Sequence, residues 1–386
     1  MLLLGGWLIA GGERLAADEV DAIRYEVAIE TRIVSEEHTQ KNYTVVGVAS
    51  PGIQAKRERD YSDINGDFSF FFTPIVDDPL IPIALRRFYA HSSTLHFSGT
   101  IEPEHTTSYT FINPDIHYQT SSNDDEQLRQ AGVDGVFYLF PNTGVRLRAA
   151  SAKDEQVSFE TSPSVDVQSR NEINEIRRNY GLGIIQYLSD NLALAVDYTY
   201  NDGELRSLEK SWQDNPLIFS EVARTTNTTG HLFSCKGEYV WQKHLGLQLT
   251  YEYLTYESNS DVQIVHLQNF AGENSTFGDD GAQHTIMPIV RLYLGEKFTA
   301  HGGGGITWTT ITRTYDNATD IEYEWHWWQA HGGVSYYFTR HFGVQASYQY
   351  RARDGEVSMR SDNATRSTFD VNSAIQGIQV GITGRF

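Results

Sequence analysis

Residues 376–386, QGIQVGITGRF, form the stretch that decides the fold. Counted back from Phe386 in steps of two, the residues are apolar or glycine, whereas those between them are polar or glycine. Because side chains alternate across a β-strand with a period of two, this stretch predicts a strand with two unlike faces. The apolar face contains Ile378, Val380 and Ile382, and the polar face contains Gln379, Thr383 and Arg385. Such a strand fits a membrane barrel or a soluble sandwich, so the rest of the chain has to discriminate between them.

The composition combines many aromatic residues with a hydrophilic average. The 386 residues include 22 Tyr, 19 Phe and 7 Trp, yet the mean hydropathy is −0.42. No stretch after the N-terminus reaches the roughly 18 consecutive apolar residues of a membrane-spanning helix, which excludes a helical membrane protein. A membrane β-barrel fits, because only alternate residues of each strand meet lipid. Cys235 is the only cysteine, and the lack of clustered ligand motifs predicts neither a metal nor a cofactor.

The N-terminal residues resemble a secretory signal. Residues 2–12, LLLGGWLIAGG, are apolar and too short to span a bilayer, and small residues follow near Gly11-Gly12 and Ala16-Ala17. These features are typical of the apolar region and cleavage site of a signal peptide, although the usual basic segment is missing. A buried N-terminal strand is the alternative. We predict a signal peptide over residues 1–17 and one folded domain over residues 18–386.

From residue 22 onward, alternating segments are joined by tight turns and long polar stretches in turn. The tight turns are Pro141-Asn142-Thr143, Ser189-Asp190-Asn191, Gln242-Lys243-His244, Gly295-Glu296-Lys297 and Thr339-Arg340-His341. Large apolar residues flank each turn, which is a hairpin signal. We predict fourteen strands, near residues 22–34, 64–75, 92–101, 131–140, 144–151, 179–188, 192–201, 231–241, 245–256, 284–294, 298–313, 327–338, 342–354 and 371–386. Connections then alternate between short turns and loops of up to 29 residues.

This pattern resembles bacterial outer-membrane β-barrel proteins, whose hairpins have short periplasmic turns and long extracellular loops. Aromatic residues beside the turns match the interface girdles of that class, and the strand ending in Phe386 resembles its assembly signal. The resemblance covers about residues 22–386 and is porin-like at the level of the class only. It implies a single antiparallel barrel in the outer membrane of a Gram-negative bacterium, with the last strand pairing with the first near residues 25–33. Twelve or sixteen strands are the alternatives.

The resemblance also implies partners and a distribution of charge. The partners would be outer-membrane lipid, lipopolysaccharide, and the barrel-assembly machinery acting on the C-terminal strand; no nucleic acid is expected. The net charge is −20, and the seven predicted long loops contain 34 Asp and Glu against 14 Lys and Arg, so the whole excess lies there. Acidic outer loops suit bridging by divalent ions to lipopolysaccharide, whereas ordinary solvated loops are the plainer interpretation.

Three segments depart from the regular pattern. Residues 76–91, VDDPLIPIALRRFYAH, form a long connection on the side of the short turns, where two prolines add rigidity and residues 83–89 suit one helical turn. Residues 106–120 have β character and extend a hairpin or indicate sixteen strands. Pro288 predicts a bulge in its strand, because it cannot donate to the ladder. The glycines at 302–305 would allow a bend or a large neighbour.

The predicted inward face is rich in charges of both signs. The pore-lining candidates are Arg24, Glu26, Glu30, Arg32, Arg146, Arg148, Asp197, Lys236, Glu238, Glu252, Arg291, Arg351, Arg353 and Arg385. Opposed charges across a narrow lumen are a common lining for a water-filled pore. An ion-paired, sealed interior is the alternative. In the loop at 35–63, Lys56, Arg57 and Arg59 are candidates for a constriction that folds inward.

The function that these features favour is a porin-like channel for passive diffusion of small hydrophilic solutes or ions. A scaffold or docking barrel, a lipid- or peptide-hydrolysing enzyme and a transporter of hydrophobic substrates are the alternatives. Fatty-acid channels also have fourteen strands, but they carry an N-terminal plug before the barrel, which leaves strand number as the only likeness.

An enzyme is not expected, because no histidine lies in a recognisable catalytic motif. The candidates are His231 near Ser234, His284 near Thr285, and His326, whereas an acyl hydrolase needs a serine, a histidine and an orienting group together. His326 lies in residues 322–328, EYEWHWW, the densest aromatic cluster. This cluster is interpreted as an outer girdle or as a ligand platform at the pore mouth.

Overall fold

The computed structural model describes residues 22–43, 54–76, 80–102, 106–112, 121–162, 167–214, 217–266, 271–315, 319–361 and 366–386. The predicted signal peptide lies outside these residues. The strand segments are β1 (Ala22–Tyr43), β2 (Gln54–Val76), β3 (Thr94–Glu102), β4 (Thr106–Ile112), β5 (Ser121–Phe140), β6 (Thr143–Ser162), β7 (Val167–Ser189), β8 (Leu192–Asp214), β9 (Leu217–Trp241), β10 (Leu245–His266), β11 (Ala271–Leu294), β12 (Phe298–Tyr315), β13 (Thr319–Thr339), β14 (Phe342–Ser361) and β15 (Arg366–Arg385). A 3₁₀ turn (Ile83–Leu85) and the helix α1 (Arg86–Ala90) lie between β2 and β3. No helix among the described residues is long and apolar enough to cross a membrane.

The sheet closes on itself, because β1 pairs with both β15 and β2. The closing register runs from Glu26 opposite Arg385 to Tyr43 opposite Thr368, and it places Ile33 opposite Ile378. The predicted pairing of the last strand with the first is therefore confirmed. Beyond the end of β15, the Phe386 carbonyl accepts the backbone N–H of Tyr25 at 2.6 Å.

Fourteen barrel strands result from the fifteen segments. The segments β3 and β4 both pair with β2, at Phe71–Ile64 and at Asp60–Gln54, so they are two parts of one strand. All pairings are antiparallel. The prediction of fourteen strands is confirmed, and the β character of residues 106–112 extends a hairpin instead of adding strands.

Most of the residues predicted as long loops belong to paired strands, which corrects the strand lengths. At the turn ends the predicted boundaries are close, but β7 begins at Val167 instead of near 179 and β8 ends at Asp214 instead of near 201. About ten residues suffice to cross a membrane as a tilted strand. The extensions are polar on both sides, so hydropathy does not mark them, yet their backbones continue the hydrogen-bond ladder. Much of the acidic excess therefore lies on strands.

The barrel has an apolar outer belt next to the short turns. On β8, Leu194 and Val196 are exposed, whereas the outward positions farther along are Asp202, Glu204 and Arg206. On β15, Ile378, Val380 and Ile382 are about half exposed, at 56%, 51% and 46%, whereas Thr383 and Arg385 are 9% exposed. The two faces of the C-terminal strand are arranged as the sequence predicts. Apolar residues on the outside of a closed barrel are the arrangement that lipid requires.

A bulge at the start of β1 interrupts the predicted alternation. The register with β2 shifts between Ile23 and Tyr25. Ile23 is buried against Phe71 and Ile75 instead of lying on the outer face with Tyr25, and Arg24 is exposed. A bulge adds one residue to one strand and so reverses the faces beyond it. Arg24 is thereby separated from the other pore-lining candidates.

Pro288 does not cause the predicted bulge. The register of β11 with β12 is the same at Ile286 opposite Ile306 and at Ile289 opposite Gly303, so only the pairing between them is lost. A missing N–H removes a hydrogen bond without adding a residue. The facing glycines instead admit large neighbours: a Cβ on Gly303 would lie 2.8 Å from the His331 ring.

Candidate functional site

Residues 80–91, here called the plug segment, lie at the short-turn end of the barrel. The 3₁₀ turn and α1 confirm the helical turn expected there. Ile83, Leu85 and Arg86 are 1%, 1% and 3% exposed, so the inner side of the segment is fully enclosed. Leu85 forms a buried cluster with Val240 of β9 and Tyr293 of β11. The segment therefore contacts the interior of the barrel from a connection between neighbouring strands.

Polar contacts attach the plug segment around the barrel circumference. Arg86 Nη2 donates to Glu296 Oε1 at 2.7 Å, and the Ile83 N–H donates to the Glu296 carbonyl at 3.0 Å. On β15, Arg385 Nη1 donates to the Ile83 carbonyl at 3.1 Å. At the opposite hairpins, Tyr89 Oη donates to Asn191 Oδ1 at 3.2 Å, and a His91 ring nitrogen lies 3.0 Å from the Pro141 carbonyl oxygen. These contacts reach from β5 to β15, so the segment occupies the turn-side opening.

The plug segment packs on a ring of inward residues that the sequence reasoning missed. The inner ring consists of Tyr138, Tyr187, Val240, Tyr293, Tyr337 and Arg385. From Tyr187 on, each backbone N–H donates to a residue of the preceding short turn, at 2.8–2.9 Å. Phe88 meets Tyr187 edge to face at 5.3 Å between centroids. Residue pairs such as Tyr187-Leu188 could have predicted the inner ring from the sequence. The girdle residue Leu188 points outward, so its neighbour Tyr187 must point inward.

Above the inner ring, predicted pore-lining residues form ion pairs. Arg146 and Arg148 of β6 share Asp134 of β5, at 2.7 and 3.2 Å, and Arg146 also lies 3.7 Å from Asp197. Side chains of opposite charge on neighbouring strands can pair directly across a sheet. This cluster is half-buried and locally balanced, with two carboxylates for two guanidinium groups.

Further ion pairs continue around the same level of the barrel. Lys236 and Arg291 both lie on Glu238, at 3.2 and 3.5 Å. Arg385 pairs with Glu26 at 2.6 Å. Closer to β2, Arg32 Nε donates to Asp63 at 2.7 Å, and Asp63 is 0% exposed.

Two predicted carboxylates have different surroundings. Glu30 accepts hydrogen bonds from the side-chain amides of Gln345 and Gln379, and it lines a recess of about 260 Å³ together with Arg32 and Asp67. Glu252 on β10 is half-buried and faces the same interior as Arg148.

The predicted constriction loop is wrong. Lys56, Arg57 and Arg59 lie in β2, where their backbones pair with β1 on one side and β4 on the other. Arg59 forms an ion pair with Glu102 at 2.8 Å. A strand paired on both edges is part of the wall, so it cannot fold into the lumen.

Arg351 and Arg353 of β14 interleave with two tryptophans of β13. The Arg353 guanidinium carbon lies 3.8 Å from the Trp325 ring centroid and 5.3 Å from that of Trp327, and Arg351 lies 4.1 Å from Trp327. Their Nε atoms are buried without a hydrogen-bond partner. Within the described residues, neither guanidinium has a carboxylate at ion-pair distance. Alternation thus divides the cluster at 322–328 between the two faces of β13. Trp325 and Trp327 point inward, whereas Trp328 points outward and packs against Tyr350.

A second arginine–aromatic cluster lies farther from the short turns. Arg224 and Arg313 lie 4.7 and 4.6 Å from the Phe277 ring centroid, and Arg313 also forms a bidentate pair with Asp279. Burial lowers the pKa of Arg224, and the charge of Arg313 lowers it further, against the opposing effect of Asp279. Tyr323 links the clusters, because it lies 5.7 Å from Arg313 and 6.0 Å from Trp325.

We call this combined surface the arginine–aromatic wall. It consists of Arg224, Phe277, Arg313, Tyr323, Trp325, Trp327, Arg351 and Arg353. Four guanidinium groups alternate with aromatic rings across β9 to β14, and Asp279 is the carboxylate that pairs with one of them. The sequence reasoning found the two β14 arginines but not their aromatic partners, because strand register decides which rings they meet.

The histidine–hydroxyl candidates do not form catalytic pairs. His231 is exposed and lies 2.7 Å from Tyr198 Oη, whereas Ser234 is three residues away along a strand and so points to the opposite face. His284 lies 2.9 Å from Tyr251 Oη, whereas Thr285 is buried against Thr307. The described residues also contain no group of three or more metal-ligating side chains.

Comparison with known proteins agrees with this architecture. Residues 211–386 match the family model of the outer membrane protein beta-barrel domain. A comparison with curated protein sequences finds no match.

Solved barrels share the fold at low sequence identity. The deltaS2 mutant of the monoaromatic hydrocarbon channel TodX is 8% identical, with 94% of this chain and 91% of that chain covered and a TM-score of 0.61. A Pseudomonas aeruginosa FadL homologue is 9% identical, with 94% and 90% covered and a TM-score of 0.55. The Ralstonia pickettii toluene transporter TbuX is 8% identical, with 94% and 90% covered and a TM-score of 0.53.

The closed fourteen-stranded barrel, its apolar belt and the family match define the class, a bacterial outer-membrane β-barrel protein. The outer-membrane location expected from the sequence is confirmed. Among the solved barrels that share its fold, TodX is named as a monoaromatic hydrocarbon channel.

Proposed function

We propose that this protein is a gated outer-membrane channel for apolar and amphipathic organic molecules. This replaces the passive pore for hydrophilic solutes that the sequence favoured. The observation that carries the proposal is the plug segment, whose buried side packs on β7, β9, β11 and β15 at the turn-side opening. A permanently open pore has no use for such a segment, whereas a channel that opens for particular solutes requires one.

The residues that line the lumen far from the short turns, here called the upper lumen, support apolar and amphipathic molecules as the solutes. Phe277, Tyr323, Trp325 and Trp327 lie on the inner face, where a channel for simple ions needs few large rings. Binding sites for organic molecules are lined mainly by apolar and aromatic side chains with a few polar groups. The solved barrels of the same fold are named as hydrocarbon channels or toluene transporters, which is consistent with this class.

The contacts of the plug segment suggest how it is held and released. Arg86 is buried and bonded to Glu296, which lies in the turn between β11 and β12. Removing one partner of such a pair leaves the other without compensation and weakens the closed arrangement. Arg87, its neighbour on α1, is exposed and provides a matched position with the same charge.

The test measures flux with Arg86→Gln and Arg87→Gln in planar bilayers and in liposomes, with benzenesulfonate as the amphipathic solute because its charge makes it cross lipid slowly without a protein. Arg86→Gln should raise the open probability at least tenfold, and Arg87→Gln should leave it near that of the parent. Benzenesulfonate entry should exceed that of a sugar of similar size and should require the protein. Equal conductance in all three proteins, or preferential sugar entry, would contradict the proposal.

A passive route for hydrophilic solutes is the second candidate, and the ion-paired level of the lumen favours it. Arg146, Asp134, Asp197, Lys236 and Glu238 line this level with charges of both signs, which suits a water-filled pore. Under this hypothesis the Arg86→Gln variant should pass sugars and small ions more readily than benzenesulfonate. The same liposome assay therefore decides between the two candidates.

A further inference from the structure

We infer that the arginine–aromatic wall is a binding site for an aromatic carboxylate. The inference rests on the proposed channel function and names the substrate class more narrowly. A neutral hydrocarbon would leave the positive charges unused, and an inorganic anion would leave the rings unused. An aromatic ring bearing a carboxylate uses both.

The first support is a difference in charge balance. Across the wall, Arg224, Arg313, Arg351 and Arg353 are matched by Asp279, the one carboxylate at ion-pair distance within the described residues. A buried cation normally has a counter-charge and filled hydrogen bonds, because desolvation costs free energy. Stacking on tryptophan compensates part of that cost, but it supplies no acceptor for the guanidinium N–H groups.

The second support is unfilled hydrogen-bonding capacity. The Nε atoms of Arg351 and Arg353 are buried and have no hydrogen-bond partner within the described residues. Unsatisfied buried donors are rare in folded proteins and often mark a ligand site. The planar fork of a guanidinium matches a carboxylate in two parallel hydrogen bonds.

The third support is the spacing of rings and charges. Arg353 lies between Trp325 and Trp327, at 3.8 and 5.3 Å from their centroids, so each charge is next to a large apolar surface. An aromatic acid places its carboxylate within a few ångströms of its ring and fits this alternation. Stacking also holds the guanidinium planes in place, which reduces the entropy lost on binding.

The experiment titrates the purified barrel in detergent with benzoate, benzyl alcohol and inorganic phosphate, by calorimetry and tryptophan fluorescence. Benzoate should bind saturably and at least tenfold more tightly than either of the others. Arg353→Gln and the double variant with Arg351→Gln should weaken benzoate at least tenfold, and Arg353→Lys should weaken it less. Arg206→Gln, an exposed arginine on the outside of β8, should leave it unchanged.

The outcomes separate this inference from the channel function. Heat-modifiable migration on a gel first establishes that each variant is folded. Equal binding of benzoate and benzyl alcohol, no benzoate binding, or full binding by the double variant would overturn the carboxylate site. Because the titration needs no membrane, benzoate binding without solute flux in liposomes would overturn the channel and leave the site standing.

Discussion

The arginines of the lumen belong to two sets that the sequence does not distinguish. In the paired set, Arg146, Arg148, Arg291 and Arg385 have a carboxylate oxygen at 2.6–3.5 Å. In the stacked set, Arg224, Arg351 and Arg353 have an aromatic centroid at 3.8–4.7 Å and, within the described residues, no carboxylate. The same residue type on the same face thus has an ionic or an aromatic partner according to the cross-strand register.

The two sets of arginines also lie at different distances from the short-turn end of the barrel. The paired arginines lie within six residues of a short turn or, for Arg385, of the C-terminus, at the level of the apolar belt and the plug segment. The stacked arginines lie ten or more residues from a turn, toward the extended end. Lipid outside the barrel and the plug segment inside it make pairing necessary at the lower level, whereas at the upper level aromatic rings stand where the lower level has carboxylates.

The largest expected effect is on stability at the paired level. Asp134→Ala leaves Arg146 and Arg148 without their shared carboxylate, so the unfolding free energy should fall by about 3 kcal/mol. Urea unfolding followed by heat-modifiable migration measures it. As control, Glu155→Ala removes the partner of Lys153 in an exposed pair and should cost less than about 1 kcal/mol. Similar losses in both variants would show that the two levels do not differ.

A smaller stability effect is expected on the stacked set. Trp327→Leu removes the ring that contacts both Arg351 and Arg353, which should cost about 1–2 kcal/mol. Trp308→Leu removes an outward tryptophan and should cost less in the same urea titration. If the two substitutions are equally costly, stacking contributes nothing to the wall beyond the burial of a ring.

The smallest expected effect is a change of ion selectivity. Reversing the charge with Arg351→Glu and Arg353→Glu should shift the reversal potential toward cations, because an unpaired charge on the lumen attracts counter-ions. The measurement uses a salt gradient across a planar bilayer, in the Arg86→Gln background so that current flows. The corresponding reversal at Arg206, outside the barrel, should have no effect. An unmoved reversal potential would mean that β14 does not face the conducting path.

Much of the fold was predictable because lipid imposes a strict pattern. Alternating faces, tight turns at one end and large residues beside them predicted fourteen strands, the closure of the last strand on the first, and the helical turn at residues 83–89. The strand extensions were missed, since their residues are polar on both faces and their pairing depends on a neighbouring strand. The bulge at Ile23 was missed because a local shift of register leaves no signature in composition.

The candidate site was predictable only in part. The pore-lining set is a prediction whose role the two proposals above put to the test, and the structure adds the side-chain partners of most of its members. Arg351 and Arg353 were identified by alternation, whereas Trp325 and Trp327 were assigned to a girdle together with Trp328. Alternation places two of these rings inside and one outside, but only the register of β13 with β14 sets Trp327 opposite Arg353.

The sequence by itself determined the class of this protein, an outer-membrane barrel whose strands alternate between lipid and lumen. Alternation can be read within a single strand, and the residues that face lipid have to be apolar. Only the tertiary structure decided which charges are paired, which are stacked and what closes the turn-side opening. Those choices depend on contacts between strands, and on a plug segment whose partners, from Pro141 to Arg385, lie far away in the chain. Cross-strand register and barrel closure bring such groups together, and neither can be predicted from a single segment of the sequence.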